Sequence, residues 1–253
     1  MTSRPGLVSR PSSVTTQSKT VVLVTGGNAG IGYEIVRSLA ALPNHQILLG
    51  ARDILKGEAA AASLGAPLNV NPIQLDIDDD ASIEHCASAI AQHFGKLDIL
   101  INNAGTTGRE VPESTSPRDR GMHIFQTNVV STALLTERLL PLLERATLPK
   151  IVFVGSGAGS IDKLTARAEV PGNFFYGSSK SALNYLAVHY ARKFPEWKVN
   201  CVCPGLRATK INDVELSEET DPKLGAVRVV ELAKQGPEGE TMTYSNSEGP
   251  LKW

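Results

Sequence analysis

Tyr176 and Lys180 form a pair of side chains whose spacing suits proton transfer. Residues four apart on a helix share one face, so the ammonium group of Lys180 would lie near the phenol of Tyr176. A free tyrosine, with a pKa of about 10, is a poor acid–base group at neutral pH unless a nearby cation stabilises its phenolate. The small residues that follow Tyr176 would let a ligand approach closely: Gly177, Ser178, Ser179, Ser181 and Ala182. An isolated pair of this kind more commonly lies on a solvated helix surface.

A glycine-rich segment, TGGNAGIG over residues 25–32, follows the first apolar run of the chain. Glycines between a strand and a helix permit a tight turn, let the backbone approach a pyrophosphate and bring the helix close to the strand. The helix N-terminus then offers free N–H donors and a positive potential. The dinucleotide contacts predicted here are Gly26, Asn28, Gly30, Ile31 and Gly32. No Lys-Ser/Thr pair follows, so the phosphate loop of kinases and GTPases is disfavoured.

Short apolar runs alternate with helical periods along the chain from residue 20 onward. The predicted strands cover residues 21–24, 47–49, 71–75, 99–101, 151–154 and 199–202, with a short strand near 241–244. The predicted helices cover residues 33–42, 56–64, 119–144 and 175–193, with one opened by Asp78, Asp79 and Asp80 and another before the last strand. We therefore predict an α/β fold, a single Rossmann-type domain whose doubly wound parallel sheet has helices on both faces. Its ligand crevice should lie at the carboxyl ends of the strands.

Four motifs occur in the order that is typical of one enzyme family. The turn at 25–32 resembles T-G-x-x-x-G-x-G, residues 102–105 read NNAG, residues 176–180 match Y-x-x-x-K, and Pro204 is followed by Gly205. Together they resemble the short-chain dehydrogenase/reductase family over nearly the whole chain from residue 20. The spacing of 20 positions from Ser156 to Tyr176, and the closing segment 236–253, resemble its carbonyl-reductase and sniffer-like branch.

The resemblance implies that a nicotinamide dinucleotide delivers a hydride to a ketone or aldehyde of a small organic molecule. It implies that Tyr176 is the general acid and that Lys180 lowers the pKa of Tyr176 and holds the nicotinamide ribose. Ser156 would hydrogen-bond the substrate carbonyl, and Asn128 would hold a water in the proton relay. The further cofactor contacts that it implies are Asp76 (on adenine), Ile77, Asn103, Ala104, Gly105, Pro204, Gly205 and Thr209.

The end of the second predicted strand bears on the choice between NAD and NADP. An acid there would accept the ribose 2′-OH, whereas an arginine fork would pair with a 2′-phosphate. By family resemblance, Ala51 occupies the slot of the acid and Arg52 is the phosphate partner. Asp53 could compete for Arg52, and Ala29 stands where some NADPH-selective members carry a second basic residue. We predict NADPH/NADP+ rather than NAD as the cofactor.

The composition narrows the class of protein. The 253 residues include 25 Lys and Arg against 26 Asp and Glu, which gives a net charge of −1. The chain thus lacks the excess of positive charge that is typical of proteins that bind nucleic acid or an anionic membrane. No apolar run reaches the roughly 20 residues of a membrane span.

Cys86, Cys201 and Cys203 lack metal-ligand spacing and are predicted to be small core residues, with no metal site. This composition fits a reducing compartment, and we predict a cytoplasmic protein.

Residues 1–19 are polar, lack the apolar stretch of a secretory signal and are predicted to be a disordered tail. The predicted domain covers residues 20–253, with substrate loops at 157–174 and 207–221. Monomer and homo-oligomer both remain open.

Two other functions are compatible with these motifs. The first is a regulator or scaffold that binds NADP(H) without turnover, although the full set of Asn128, Ser156, Tyr176 and Lys180 argues against it. The second is a reductase of a biosynthetic pathway whose product cyclises or rearranges in the same pocket. A serine hydrolase is disfavoured, because Val154 rather than glycine stands two residues before Ser156.

Overall fold

The computed structural model describes residues 19–168 and 172–253; apart from Lys19, the predicted tail lies outside them. The strands are β1 (Thr20–Val24), β2 (His45–Ala51), β3 (Val70–Gln74), β4 (Ile99–Asn102), β5 (Lys150–Val154), β6 (Lys198–Val202), β7 (Tyr244–Asn246) and β8 (Gly249–Pro250). The α-helices are α1 (Gly30–Ala40), α2 (Ile54–Ser63), α3 (Asp80–His93), α4 (Pro117–Phe125), α5 (Thr132–Leu143), α6 (Ile161–Thr165), α7 (Phe174–Lys193) and α8 (Pro222–Lys234). A π-helical segment covers Gln126–Ser131, and a short 3₁₀ helix covers Gly157–Gly159.

The strands of the described residues form one sheet in the order β3-β2-β1-β4-β5-β6-β7-β8. All neighbours from β3 to β7 are parallel, and β8 returns antiparallel to β7 as a short edge hairpin. The strand order reverses between β1 and β4, which creates the crevice in which folds of this type bind ligands. The predicted doubly wound Rossmann-type fold is confirmed.

Helices cover both faces of the sheet, as the apolar run of β1 predicts. Val22 and Val24 pack in a core with α1 and α8, whereas Val21 and Leu23 face the opposite core with α3, α5 and α7. Successive side chains of a strand point to opposite faces, so a strand buried on both faces is apolar throughout. The three cysteines are buried and free, as predicted.

The prediction of one regular α-helix over residues 119–144 is wrong, because a π-helical segment interrupts the helical run. The helical run begins at Pro117, where the Ser116 hydroxyl accepts the N–H of Asp119 (3.1 Å), and its middle is the π-helical Gln126–Ser131. The Thr132 hydroxyl donates to the carbonyl of Thr127 (3.1 Å) inside this segment. Single π-helical turns within α-helices frequently mark functional positions.

The opening of α3 also differs from its prediction. Asp79 is the N-cap, accepting the N–H of Ala81 (2.9 Å), and Asp80 is the first helical residue. Asp78 does not cap the helix; its carboxylate instead accepts hydrogen bonds from the Thr127 and Ser131 hydroxyls of the π-helical segment. Sequence spacing alone could not reveal this, since the donors lie 49 and 53 residues away.

Within residues 19–168 and 172–253, no helix has both the length and the apolar character needed to cross a membrane. The same part of the chain brings together no group of three or more His, Cys, Asp or Glu side chains that could hold a metal ion.

Candidate active site

The glycine-rich turn connects β1 to α1 in a conformation that depends on its glycines. Gly26 and Gly30 have φ of +62° and +53°, in the left-handed region that side chains rarely adopt. Gly32 lies in the first turn of α1, where a Cβ would overlap the carbonyl oxygen of Gly26 and lie 2.5 Å from Asn103 Nδ2. The helix therefore starts three residues earlier than predicted and packs directly on the turn.

The NNAG segment holds this turn from the neighbouring strand end. The Thr25 hydroxyl accepts the N–H groups of Asn103 (2.9 Å) and Ala104 (2.8 Å), and Asn103 Nδ2 donates to the carbonyl of Thr25 (2.8 Å). The sequence prediction gave Asn103 and Ala104 a cofactor role and did not include Thr25. The role of Thr25 could have been predicted from the sequence, because Thr25 is the first residue of the motif and directly follows a buried strand.

The N-terminus of α1 offers uncompensated donors. Its N-cap is Ala29, which has no side-chain oxygen, and its first turn contains no acid. The first N–H groups of a helix lack partners within the helix, and no side chain of the residues that the structure describes caps those of α1. The Thr209 methyl lies against Gly30, 3.1 Å from the position of a Cβ there. The Ile31 side chain packs on α8 beside Gly225 and so holds the start of α1 in place. The backbone of Ile31 remains part of the first turn of α1.

Arg52 is exposed after β2 and has no ion-pair or hydrogen-bond partner among the residues that the structure describes. Asp53, which could have competed for it, instead caps α2 by accepting the N–H groups of Leu55 (3.0 Å) and Lys56 (3.4 Å). Its second oxygen lies 3.4 Å from Lys56 Nζ. The guanidinium of Arg52 is therefore available to a ligand.

Asp76 and Ile77 follow β3 on the same edge of the sheet. The Asp76 carboxylate accepts the N–H of Asp78 (3.1 Å), and its own N–H donates to Ser82 Oγ (2.9 Å), while Ile77 is buried. These contacts fix the loop and leave Asp76 half-buried at its rim.

Lys180 is buried where the ends of β4 and β5 meet α7. Its Nζ donates to the carbonyl of Val154 (3.0 Å) and lies 5.9 Å from the ring centre of Tyr176. Burial lowers the pKa of Lys180 to about 8. A Cβ on Gly105 would lie 3.3 Å from this Nζ and 3.0 Å from Asn128 Oδ1, so the NNAG segment passes between both groups.

Tyr176 meets Ser156 at the same edge. Burial raises the pKa of the Tyr176 phenol, and a hydrogen bond with Ser156 acts in the opposite direction. The Ser156 hydroxyl accepts the N–H of Ala158 (3.2 Å), which leaves its own proton free to donate. That Lys180 lowers the pKa of Tyr176 stays a prediction.

Asn128 lies in the π-helical segment and is almost fully buried. Its Oδ1 accepts the N–H of Thr106 (2.8 Å), and its Nδ2 donates to the carbonyl of Thr106 (2.9 Å) and to Ser179 Oγ (3.0 Å). Asp78 holds the segment from outside, accepting the hydroxyls of Thr127 (2.6 Å) and Ser131 (2.6 Å). The loop after β3 is thus connected directly to the helical turn that carries Asn128.

The backbone of Ser156 is fixed by a residue that sequence reasoning missed. Tyr244, fully buried in β7, donates its hydroxyl to the Ser156 carbonyl (2.8 Å), and the ring of Trp253 stacks on it. The two hydrogen-bonded residues are 88 positions apart, and no motif connects them.

The predicted substrate loop 207–221, called the lid below, is tied to the loop after β4. Gly205, just before the segment, has a φ of +77°. Arg207 Nη1 donates to the carbonyl of Glu219 (2.9 Å), so the two ends of the segment are hydrogen-bonded to each other. Thr107 donates its hydroxyl to the carbonyl of Ile211 (2.7 Å), and Arg109 forms an ion pair with Asp213. Pro204 directly follows Cys203 at the end of β6, and Thr209 in the lid lies next to Gly30 of the glycine-rich turn.

Replacing Gly159 with Ala should disturb this arrangement. A Cβ there would lie 2.6 Å from the carbonyl carbon of Lys180. We expect this overpacking to lower the free energy of unfolding by about 1–3 kcal/mol. Urea denaturation measures this loss of stability, with Gly236→Ala as the control because no atom of the residues that the structure describes lies within 4 Å of a Cβ at that position. Equal stability of the two variants would contradict tight packing between the 3₁₀ helix and α7.

Comparisons with known proteins agree with this geometry. The family model of the short chain dehydrogenases matches residues 20–220. The short-chain dehydrogenase/reductase ATR10 of Stachybotrys chlorohalonatus is 33% identical over 247 residues, which cover 92% of this chain and 90% of that protein. The structure of salutaridine reductase from Papaver somniferum superposes with a TM-score of 0.78 at 27% identity, covering 90% of this chain and all of that one. An NADP complex of RhlG from Pseudomonas aeruginosa has a TM-score of 0.77 at 25% identity, covering 91% of this chain and 94% of that one. The chain therefore belongs to the short-chain dehydrogenase/reductase family of oxidoreductases.

Proposed function

We propose that this protein reduces a ketone or aldehyde of a small organic molecule, with NADPH as the hydride donor. The observation that carries the proposal is the convergence of Tyr176, Ser156 and Lys180 at the sheet edge that also holds the glycine-rich turn. Hydride transfer needs a proton donor and a carbonyl-binding group beside the cofactor, and this edge offers both.

The residues present fit a dinucleotide that carries a 2′-phosphate. The uncapped N-terminus of α1 suits a pyrophosphate, and the missing Cβ of Gly32 lets the helix pack directly against the turn and Asn103. The unpaired guanidinium of Arg52 suits a phosphate, since its planar fork can donate two parallel hydrogen bonds. The NADP in the RhlG complex supports the same choice. When bound, NADPH would supply the hydride.

The side chains of this chain would handle the proton and the carbonyl oxygen. Ser156 donates its free hydroxyl proton to that oxygen, and Tyr176 transfers its phenolic proton to the alkoxide as it forms. Lys180 stabilises the resulting phenolate and holds the nicotinamide ribose. Asn128, in the π-helical segment, holds the water of the proton relay.

The proposal is tested by following NADPH and NADH consumption with a panel of ketones and aldehydes that differ in size and charge. We expect turnover of at least one class of carbonyl, with NADPH preferred. Tight NADPH binding in calorimetry without turnover of any carbonyl would instead favour the regulator or scaffold.

Arg52→Ala should change the cofactor preference without changing the chemistry. Loss of a charge-assisted contact to a phosphate, worth about 1.5–3 kcal/mol, would raise KM for NADPH about 10- to 100-fold. The KM for NADH should stay within about twofold, because NADH has no 2′-phosphate. Arg192→Ala, an exposed arginine on α7, is the matched control. A parallel rise of KM for both cofactors would contradict the assignment of Arg52 to the phosphate.

A further inference from the structure

A lysine that the proposed reaction does not use lies beside the candidate active site. Lys163, on α6, is half-buried and extends across Gly157, the residue after Ser156. A Cβ on Gly157 would lie 3.9 Å from Lys163 Nζ and 3.5 Å from Cys203 Sγ. Because Gly157 has no side chain, the ammonium group can approach the backbone next to Ser156.

The charge of this ammonium group is not compensated within residues 19–168 and 172–253. Its Nζ has no ion-pair or hydrogen-bond partner there, although acids are close in sequence and across the mouth. Asp162 lies 3.4 Å from Lys252 Nζ instead, and Asp213 pairs with Arg109. These two acids are therefore engaged by other cations, and the ammonium group of Lys163 remains available to an anion.

The backbone that carries Lys163 is fixed. The hydroxyl of Ser160, the buried N-cap of α6, accepts the N–H of Lys163 (3.1 Å) and donates to the carbonyl of Lys252 (2.8 Å). The N–H of Asp162 donates to the carbonyl of Trp253 (3.2 Å). The helix is thus tied to the residues that also support Tyr244, so the backbone from which the Lys163 side chain extends has a defined position.

Exposed apolar side chains accompany Lys163 on its short helix. Ile161 and Leu164 on α6 are 56% and 42% exposed, and Phe174, at the far end of the predicted substrate loop 157–174, is 65% exposed. Exposed apolar side chains beside a cation suit a ligand with an apolar body and one anionic group, because the apolar body can bury its surface against the apolar side chains while the anion pairs with the ammonium group.

We propose that the carbonyl substrate carries a carboxylate and that Lys163 binds it a few bonds from the reacting carbonyl. This inference rests on the proposed function and names its substrate class as keto or aldehydo acids with an apolar body. Lys163 is then a specificity-determining residue that contacts substrate and takes no part in proton transfer.

The test uses the full chain with matched pairs of substrates: aryl ketones that carry a carboxylate two to four carbons from the ketone, and the methyl ester of each. Lys163→Met should raise KM for the acids about 10- to 100-fold and leave KM for the esters within about twofold. Lys163→Arg should retain most of the preference for the acids. Lys210→Met, an exposed lysine on the lid, tests whether general positive charge at the mouth is sufficient.

The proposal is overturned if Lys163→Met changes acids and esters equally, or changes neither. It is also overturned if Lys210→Met has the same effect on the acids as Lys163→Met, because a local contact would then be unnecessary. In each case turnover of the esters by the wild-type protein would still support the proposed function. Absence of turnover for every carbonyl would remove both proposals.

Discussion

Replacing Tyr176 with Phe is expected to lower the rate of NADPH-dependent carbonyl reduction by about 10²- to 10⁴-fold, the usual contribution of a positioned general acid. The substitution removes only the hydroxyl, so the ring keeps its place beside Ser156 and Lys180. Binding of NADPH, measured by calorimetry, should change little. The measurement is steady-state NADPH consumption with a carbonyl that the wild-type protein reduces.

Tyr185→Phe is the matched control, because Tyr185 lies on the same helix and is 71% exposed. It should retain wild-type rates. Equal rates for wild type and Tyr176→Phe would exclude Tyr176 as the proton donor. If the wild-type protein binds NADPH but turns over no carbonyl, the result favours the alternative function, a regulator or scaffold that binds NADP(H) without turnover.

Asp78→Ala is expected to have the largest effect on stability among the surface acids. The variant loses two hydrogen bonds to a carboxylate and leaves the buried Thr127 and Ser131 hydroxyls without it, which should cost about 2–4 kcal/mol of unfolding free energy. Because the π-helical segment also carries Asn128, kcat should fall while KM for NADPH changes little. Urea denaturation and steady-state kinetics measure the two effects separately.

Asp79→Ala separates this positioning role from helix capping. Asp79 caps α3 through the N–H of Ala81, so its loss should cost about 1 kcal/mol and leave kcat unchanged. Adding Thr127→Val to Asp78→Ala should cost less than the sum of the single changes, since the two residues share a hydrogen bond. An unchanged kcat in a stable Asp78→Ala variant would show that Asn128 does not depend on Asp78.

The strands were the most predictable elements. Residues 21–24 and 151–154 were predicted as strands and are found in β1 and β5, each extended by one residue at its start. An uninterrupted run of β-branched residues indicates a strand that is buried on both faces. Such a run can be recognised from a few consecutive residues, without knowledge of the rest of the fold. The edge hairpin β7–β8 was only partly predicted, because three- and two-residue strands carry little periodic signal.

The long helix shows where local pattern fails. Its apolar period predicts a regular α-helix, yet Gln126–Ser131 is π-helical. The hydrogen bonds that accompany this register include two that Thr127 and Ser131 donate to the distant carboxylate of Asp78, which a 3.6-residue period cannot encode. Thr25 could have been found from its place in the motif, whereas Tyr244 had no signal in the sequence.

The sequence by itself determined the α/β fold, the family and the set of side chains proposed for cofactor and proton transfer. These depend on apolar periods and motif spacings that are read within a few residues of one another. Only the tertiary structure decided which groups meet: Asp53 with its own helix rather than Arg52, Tyr244 with Ser156, and Lys163 with Gly157. The physical reason is that the sheet order brings together loops that are far apart along the chain, and their side-chain contacts depend on how the whole domain packs.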